Sequence, residues 1–529
     1  MDSHVVADQN PVFAFLADPE THGGAPVSRI DTHGAAVFLA GDVAYKVKRA
    51  VAFPYMDFST LEKRRAACER ELEVNRANAP GIYLGVVPIV RTADRRGTGG
   101  LAQDGLALGG AGVPVDYAVK MRRFDETRTL DRLEKNAFTP ALLAALAGAV
   151  HAAHARAPVI GNTADAAAPL ARIVEQNAAD FADNPELFAP DAARALTHAT
   201  SDALAAVAPL LRARAAQGHV RRCHGDLHLR NIVLLEGTPV LFDAIEFNDD
   251  IAICDVLYDL AFLLMDLWER GLPGAANAVL NRYLWAGPAE HYAGLAALPL
   301  FLSLRAAIRA KVQAAGLAHL PDERQAAARG EIAHYFDEAR AFLAPAKPVL
   351  LAIGGLSGTG KSTLAAALAP GIGRAPGAVI LRSDIERKRM AGVGETETLP
   401  PHAYTSEATQ AVYERMRSRA ALALAAGQAV IADAVHARPQ EREAIEAVAG
   451  TTSADFLGLW LDAPVDTLVA RVEQRRGDAS DATAEVVRRQ ADYDLGAMSW
   501  HRIEASAGAE GKARAALADV CRSSGTQEI

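Results

Sequence analysis

Cysteine is scarce: four residues in 529 (Cys68, Cys223, Cys254, Cys521), widely separated and without a C-x-x-C pair. This excludes a disulfide framework and suits a reducing compartment. Positive charge is in deficit, with 55 Lys and Arg against 64 Asp and Glu and a net charge of −9. That balance argues against a nucleic-acid-binding surface. Long apolar runs are missing as well. The longest, near Leu257–Trp268, is interrupted by Asp259 and Asp266, so no membrane-spanning helix is expected. The start, MDSHVVADQNPVF, lacks the charged-then-apolar order of a secretory signal, and there is no tandem repeat. The location these absences point to is the cytoplasm. What remains is ordinary for a globular chain of two or three domains, 50% hydrophobic and 22% charged.

The most specific stretch begins at Val349. Val349–Ile353 reads as a buried parallel strand, and an Ala/Leu-rich helix follows the loop after it. The loop, Gly355-Leu356-Ser357-Gly358-Thr359-Gly360-Lys361-Ser362-Thr363, completes G-x-x-x-x-G-K-[ST]. Glycines there let successive N–H groups turn inward on a phosphate, and the helix N-terminus adds partial positive charge. Lys361 can reach the outer phosphates of ATP, and the Ser362 hydroxyl can hold Mg²⁺.

Before this loop the chain changes character twice. Ala35–Leu39 and Val43–Lys48 read as a hairpin, with Lys46 and Lys48 on one face by the strand period of two. A charged helix is expected over Thr60–Asn78, then strands over Leu84–Val90 and Asp116–Arg122. The glycine-rich Arg95–Val113 between those strands has no helix after it and reads as a long flexible connection. From Asp125 to Leu343 the pattern is helical, with helices over Pro140–Arg156, Pro190–Ala216, Ala252–Arg270, Ala275–Ala286 and Phe301–Ala315. A strand-like break interrupts them, Arg222–Glu236 and Pro239–Phe247. Ala344–Pro348 is a short stiff linker. Beyond it, strands over Val349–Ile353, Ala378–Arg382, Ala429–Ala432 and Phe456–Leu461 alternate with helices, the mark of a parallel sheet.

The break holds His224-Gly225-Asp226-Leu227-His228-Leu229-Arg230-Asn231, then Leu241-Phe242-Asp243. Transfer of a phosphoryl group from ATP needs an acceptor for the attacking hydroxyl's proton and oxygen ligands for Mg²⁺. Asp226 suits the first role, Asn231 and Asp243 the second, and their order matches the kinase plan. His224 reads as a residue that orients the loop, and Asp255 and Asp259 as its structural anchors.

HGDLHLRN with FDAIEF resembles the aminoglycoside phosphotransferase branch of the kinase-like fold, which has Gly where protein kinases have Arg. With its P-loop half, the chain is similar, over about Val27–Asp519, to bacterial bifunctional aminoglycoside phosphotransferase/ATP-binding proteins. The resemblance implies a strand Lys that contacts ATP phosphates and pairs with a helix Glu. Lys46 and Glu71 are the first choice, with Lys48, Glu69 and Glu73 open. It also implies a hinge at Met121–Phe124 that meets adenine, and a covering loop near Thr32-His33-Gly34.

In the second half, Asp384 follows a strand and Arg387 lies one turn on. The Asp can accept a hydroxyl proton and the Arg can hold an anionic substrate group. This D-x-x-R resembles phage polynucleotide kinase, gluconate-type kinases and zeta toxins. Asp433 ends an apolar strand and can serve as the second Mg²⁺-side carboxylate, directly or through water. Arg471 and Arg475, placed four apart on one helix, are the lid arginines the resemblance implies, with Gly477–Asp481 as a mobile lid tip.

The expectation is α/β and α+β. An N-lobe over 1–123 and a helical C-lobe with the catalytic loop over 124–343 make a two-lobed kinase-like domain. A linker over 344–348, a P-loop kinase domain with a parallel sheet over 349–522 and a tail over 523–529 complete the chain. The expected activity is ATP- and Mg²⁺-dependent phosphoryl transfer to a hydroxyl of a small metabolite, with a sugar or aminosugar among the candidates. The alternatives are a nucleotide-sensing regulator without an acceptor and a nucleic-acid end kinase acting through the second domain.

Overall fold

The computed structural model describes residues 4–53, 56–92, 105–160 and 166–523. Most of the connection expected from Arg95, and the final residues 524–529, lie outside the described residues. The described chain forms two compact units, 1–162 with 218–260, and 163–217 with 261–529.

The first unit is built on a six-stranded antiparallel sheet: β1 (Val27–Asp31), β2 (Ala35–Ala40), β3 (Val43–Lys48), β4 (Tyr83–Arg91), β5 (Leu106–Leu108) and β6 (Val113–Arg122), in the order β1-β2-β3-β6-β4-β5. The expected hairpin is β2 against β3, with Phe38 opposite Tyr45. One face of the sheet buries Phe38, Val47 and Ala118 against Phe13 and Leu16 of the N-terminal segment. Helix α1 (Leu61–Arg76) starts where the Thr60 hydroxyl accepts the Lys63 N–H. Its buried positions are Arg64, Ala67, Cys68, Glu71 and Asn75. This spacing of three and four puts Glu71 on the inward face and Glu69 and Glu73 on the outward one. Helix α2 (Pro140–Arg156) opens with proline at its first position and the Thr139 cap.

The strand-like break is only partly paired. These strands are β7 (Val220–Arg222), β8 (Ile232–Leu235), β9 (Thr238–Leu241) and β10 (Ile253–Asp255). Strand β8 pairs with β9 and β7 with β10, which leaves Cys223–His228 as a loop. The helix expected from Ala252 begins at Val256, because Ile253–Asp255 are drawn into pairing with β7.

The second unit joins a group of helices to a five-stranded parallel sheet. Its strands are β11 (Val349–Gly355), β12 (Val379–Arg382), β13 (Val430–Asp433), β14 (Asp455–Asp462) and β15 (His501–Glu504), ordered β12-β13-β11-β14-β15. Strand β15 was outside the sequence expectation. Leu351, Ile353, Ile431 and Leu459 pack with Leu368 and Leu517 in one core. The elements used below are α3 (Pro273–Ala286), α4 (Lys361–Leu368), α5 (Ser383–Ala391), α6 (Ser406–Ala425) and α7 (Val465–Gln474). Among the described residues one stretch, Glu290–Gly316, is long and apolar enough to cross a bilayer, yet 72% of its apolar window is buried, as in a core helix.

Candidate functional site

In the first unit, β3, α1 and the loop after β9 meet through charge. Lys46 Nζ lies 2.9 Å from Glu71 Oε1 and 2.5 Å from Asp243 Oδ1. Lys48, two residues on and on the same strand face, reaches Glu71 Oε2 at 2.5 Å and also pairs with Glu246. Of the open alternatives, Glu69 pairs instead with Arg65 and Glu73 with Arg70, both at the surface. Burial alone would raise the Glu71 carboxyl, but the two ammonium groups hold it down at about 2. Burial opposes the charge on Lys46, and Asp243 followed by Glu71 outweighs it, keeping the ammonium charged.

The catalytic-loop residues are tied to one another. Asn231 Nδ2 donates to the Asp226 carbonyl at 3.0 Å and to its carboxylate Oδ2 at 2.9 Å. His228 Nε2 stands 3.3 Å from the same carboxylate oxygen. Phe242, the residue before Asp243, gives its N–H to the Asn231 carbonyl and receives His224 Nε2 on its own carbonyl at 2.9 Å. The His224–Asn231 loop and Asp243 are therefore neighbours through one residue. His224 is fully enclosed, and burial lowers its pKa, which favours the neutral imidazole in an orienting role. Asp259 accepts the Gly225 N–H at 2.8 Å and the His224 N–H at 3.2 Å, the anchoring expected of it.

Asp243 has φ +61°, a left-handed conformation that a non-glycine residue rarely takes. It is held there by neighbours that the sequence reading did not single out. The Asp243 N–H donates to the Tyr83 hydroxyl at 3.0 Å, and the Ala244 N–H to Asn75 Oδ1 at 2.7 Å. Asn75 sits four residues after Glu71 on the buried face of α1, so helical periodicity could have found it; nothing in the sequence points to Tyr83. The hinge segment borders a cleft of about 670 Å³ lined by Ile30, Leu39, Asp42, Arg123, Phe124 and Asp125, among others. The N–H groups of Arg122 and Arg123 are already bonded, to the carbonyls of Ile82 and Asp42. The Thr32-His33-Gly34 turn is closed by Thr32 N–H to the Ala35 carbonyl at 2.8 Å.

In the second unit, the loop from Gly355 links β11 to α4. Gly355 and Gly358 have φ +138° and +88°, and a Cβ on them would lie 2.6 Å from the Leu461 carbonyl oxygen and 2.8 Å from that of Leu468. The curl thus requires glycine both for backbone shape and for space. Lys361 Nζ donates to the Leu356 carbonyl at 3.0 Å, and the Ser357 N–H to Gln490 Oε1 at 2.8 Å. Burial lowers the Lys361 pKa. Thr359 Oγ1 closes on the Leu356 carbonyl; Gly360 caps α4 with Thr363 in its first turn. Ser362 Oγ donates to Asp433 Oδ2 at 2.5 Å.

Asp384 opens α5 beside this cluster. Burial raises its carboxyl, with Arg382 and Lys361 opposing and Asp433 adding to the rise. Arg382, absent from the sequence list although it ends the strand just before Asp384, lies 3.5 Å from Asp433 and 2.9 Å from Asp478. Arg387 donates to the Ala403 carbonyl at 2.6 Å and to Thr409 Oγ1 at 3.3 Å, and its guanidinium stands 5.0 Å from the Tyr404 ring centre. Arg471 reaches the Gly358 carbonyl at 3.4 Å and the Ala505 carbonyl at 3.1 Å. Arg475 does not share its helical face, because α7 ends at Gln474 and Arg475 is extended; it donates to the carbonyls of Ser480 and Ala482. The Gly477–Asp481 segment, expected to be a mobile tip, is tied down. Asp478 meets Arg382, and Asp481 meets Lys388 at 3.0 Å, the Leu399 N–H at 3.0 Å and the Tyr404 hydroxyl at 2.5 Å.

Both clusters offer hard oxygen donors of the kind Mg²⁺ takes. In the first, the Asp226 and Asp243 side chains keep 38% and 41% exposure, so a cation can reach them. In the second, the Ser362 hydroxyl and the Asp433 carboxylate already stand together.

Residues 65–298 match the phosphotransferase enzyme family, and residues 350–493 match an AAA domain. The chain is thus a kinase-class phosphotransferase that carries a second, P-loop nucleotide-binding module. Over 490 residues it is 32% identical to uncharacterized proteins of Mycobacterium tuberculosis (Rv2004c) and Mycobacterium bovis (Mb2027c), covering 90% of this chain and 91% of each relative. It belongs to the family of these proteins. Among solved structures, it is similar to the aminoglycoside phosphotransferase APH(3'')-Id of Streptomyces rimosus, with 20% identity, TM-score 0.30 and coverage of 62% of this chain and 98% of the other. A gluconokinase of Sinorhizobium meliloti gives 18% identity, TM-score 0.25 and coverage of 34% and 96%.

Proposed function

We propose that both modules use Mg²⁺–ATP and that the first transfers the γ-phosphoryl group to a hydroxyl of a small metabolite. The observation that carries this reading is Lys46, which bridges Glu71 and Asp243 beside the Asp226–Asn231 loop. Lys46 would release Asp243 for the phosphates while Glu71 keeps the ammonium in place. Asp226 would take the acceptor hydroxyl's proton as its oxygen bonds to the γ-phosphorus and the bond to the ADP oxygen breaks. Asn231 and Asp243 would hold the metal in the first site, and Ser362 and Asp433 in the second. There the ion supplies charge neutralisation. In the second module Asp384 would serve as base, Arg387 would face the acceptor, and Arg471 and Arg475 would close over the nucleotide. The net charge of −9 supports a small-molecule acceptor over a nucleic acid. Four free thiols support a reducing, cytoplasmic setting.

A metabolite pool incubated with the full chain and labelled ATP tests this. Labelled product should form, and Asp226→Ala and Lys361→Ala should each remove a separable part of the turnover. If neither changes it, the assignment fails. A second reading, nucleotide sensing by the P-loop module, draws on Lys361 and Ser357 being bonded to the protein's own groups. It predicts ATP binding at that site with no acceptor.

A further inference from the structure

Among the described residues, strand β12 is an edge strand: it pairs with β13 on one side only. An edge leaves every second N–H and C=O without a ladder partner, and burying it demands substitutes. Here side chains of α3 supply them. Asn281 Oδ1 accepts the Ile380 N–H at 2.7 Å, and Trp285 Nε1 donates to the Ile380 carbonyl at 2.9 Å. Asn281 and Asn277 both donate to the Ala378 carbonyl, at 3.2 and 3.0 Å. Both asparagines are 2% exposed.

Two further features show that the approach is built in. Gly377 has φ +106°, and a Cβ there would lie 2.3 Å from the Ala369 carbonyl oxygen and 2.9 Å from Asn277 Nδ2. The nearest atoms are the backbone of Ala369 and Pro370, so any other residue would clash there first and then with the Asn277 amide of α3. At the far end of α5, Arg389 donates to the carbonyls of Leu284 and Gly287, at 3.2 and 2.7 Å, where α3 ends. A cation at a helix C-terminus is favourable. So the β12–α5 segment is fastened to α3 before its first turn and again in its last, and Asp384 and Arg387 lie between the two fastenings.

We propose that α3, although it ends well before the linker, is a working part of the second module. Asn281 and Trp285 are positioning residues that hold Asp384 and Arg387 against the P-loop. This rests on the reading of Asp384 and Arg387 as the acceptor side of that site. It also makes the second module's turnover, but not its grip on nucleotide, dependent on a helix outside the matched AAA segment.

The test uses the full chain with Asp226→Ala, which removes the first site's turnover but not its ATP binding, with Mg²⁺–ATP as probe and Lys361→Ala as the blank that isolates binding at the second site. Asn281→Leu combined with Trp285→Phe removes three of these four edge bonds, leaving the one from Asn277 to the Ala378 carbonyl, and keeps the apolar volume. Hydrogen exchange of amides 379–387 should speed up about tenfold or more, while amides 355–363 change less than about twofold. ATP affinity should stay within about twofold and ADP release at saturating ATP should fall about tenfold. Trp285→Phe alone, which loses one bond, should give a smaller change of the same kind and serves if the double variant does not fold. Unchanged exchange over 379–387 would overturn the inference. So would a loss of ATP affinity in step with turnover, the sign of a merely structural helix. Lys361→Ala runs beside these: if it leaves ATP binding and ADP release intact, the reading of a second nucleotide site fails by itself, and the exchange measurement still decides the role of α3.

Discussion

Lys46 and Lys48, two residues apart on β3, send their ammonium groups to opposite oxygens of one buried carboxylate, Glu71. Their other partners differ: Lys46 meets the half-exposed Asp243, Lys48 the buried Glu246. The two lysines should therefore fail differently. Lys48→Met leaves Glu246 buried without its cation and should lower unfolding free energy by about 3–5 kcal/mol. Lys46→Met should cost less stability, because Asp243 retains water, yet lower turnover about 100-fold or more. Urea unfolding and ATP turnover on both variants read the split. Equal effects on both quantities would contradict it.

The Asp226 side chain keeps 38% exposure, and in the proposed reaction it takes the acceptor hydroxyl's proton. Asp226→Ala should reduce phosphoryl transfer by roughly 10²–10⁴-fold. ATP affinity and the melting temperature should hardly move. Equilibrium ATP binding alongside turnover checks this, and a parallel fall in affinity would assign Asp226 to binding instead.

Ser362 and Asp433 share one hydrogen bond at 2.5 Å next to the P-loop. Ser362→Ala should raise the Mg²⁺ concentration needed for ATP binding at the second site about tenfold and leave the first site's requirement alone. Titrating Mg²⁺ against bound ATP, with Lys361→Ala as the second-site blank, separates the two. Chelating Mg²⁺ should weaken ATP binding at both sites.

His436 is 1% exposed, and neither ring nitrogen has a hydrogen-bond partner among the described residues. It stands edge-on to Tyr413 and Trp500. Burial lowers its pKa from 6.5 to about 3. The unfolded chain takes up this proton near 6.5 while the folded chain refuses it. The contribution to stability is therefore complete above 6.5 and is lost as pH falls toward 3, at up to about 1.4 kcal/mol per pH unit. His436→Phe should flatten the stability profile between pH 6.5 and 4 in denaturant titrations. A profile unchanged by the substitution would count against it.

Short-range order was legible in the residues. The glycine spacing before Lys361, the His224–Asn231 loop with Asp243 beyond it, and the apolar runs that become β11, β13 and β14 are local patterns, and local sterics and burial set them. Boundaries moved where the main chain found a distant partner, as when Ile253–Asp255 left the expected helix to pair with β7. That Glu71 faces inward, while Glu69 and Glu73 face solvent, depends on the rotational phase of α1 against the sheet.

By itself, then, the sequence determined two phosphate-handling motifs and the residue types within them, because each motif lies in one short loop whose shape its own glycines and polar residues impose. Tertiary structure alone decided which lysines share Glu71, that Tyr83 and Asn75 brace Asp243, that Asp481 joins Lys388, Leu399 and Tyr404, and that α3 caps the edge of β12. Those contacts join residues far apart in the chain. Strand register, helix phase and the need to satisfy buried polar groups select such partners only once the elements have packed.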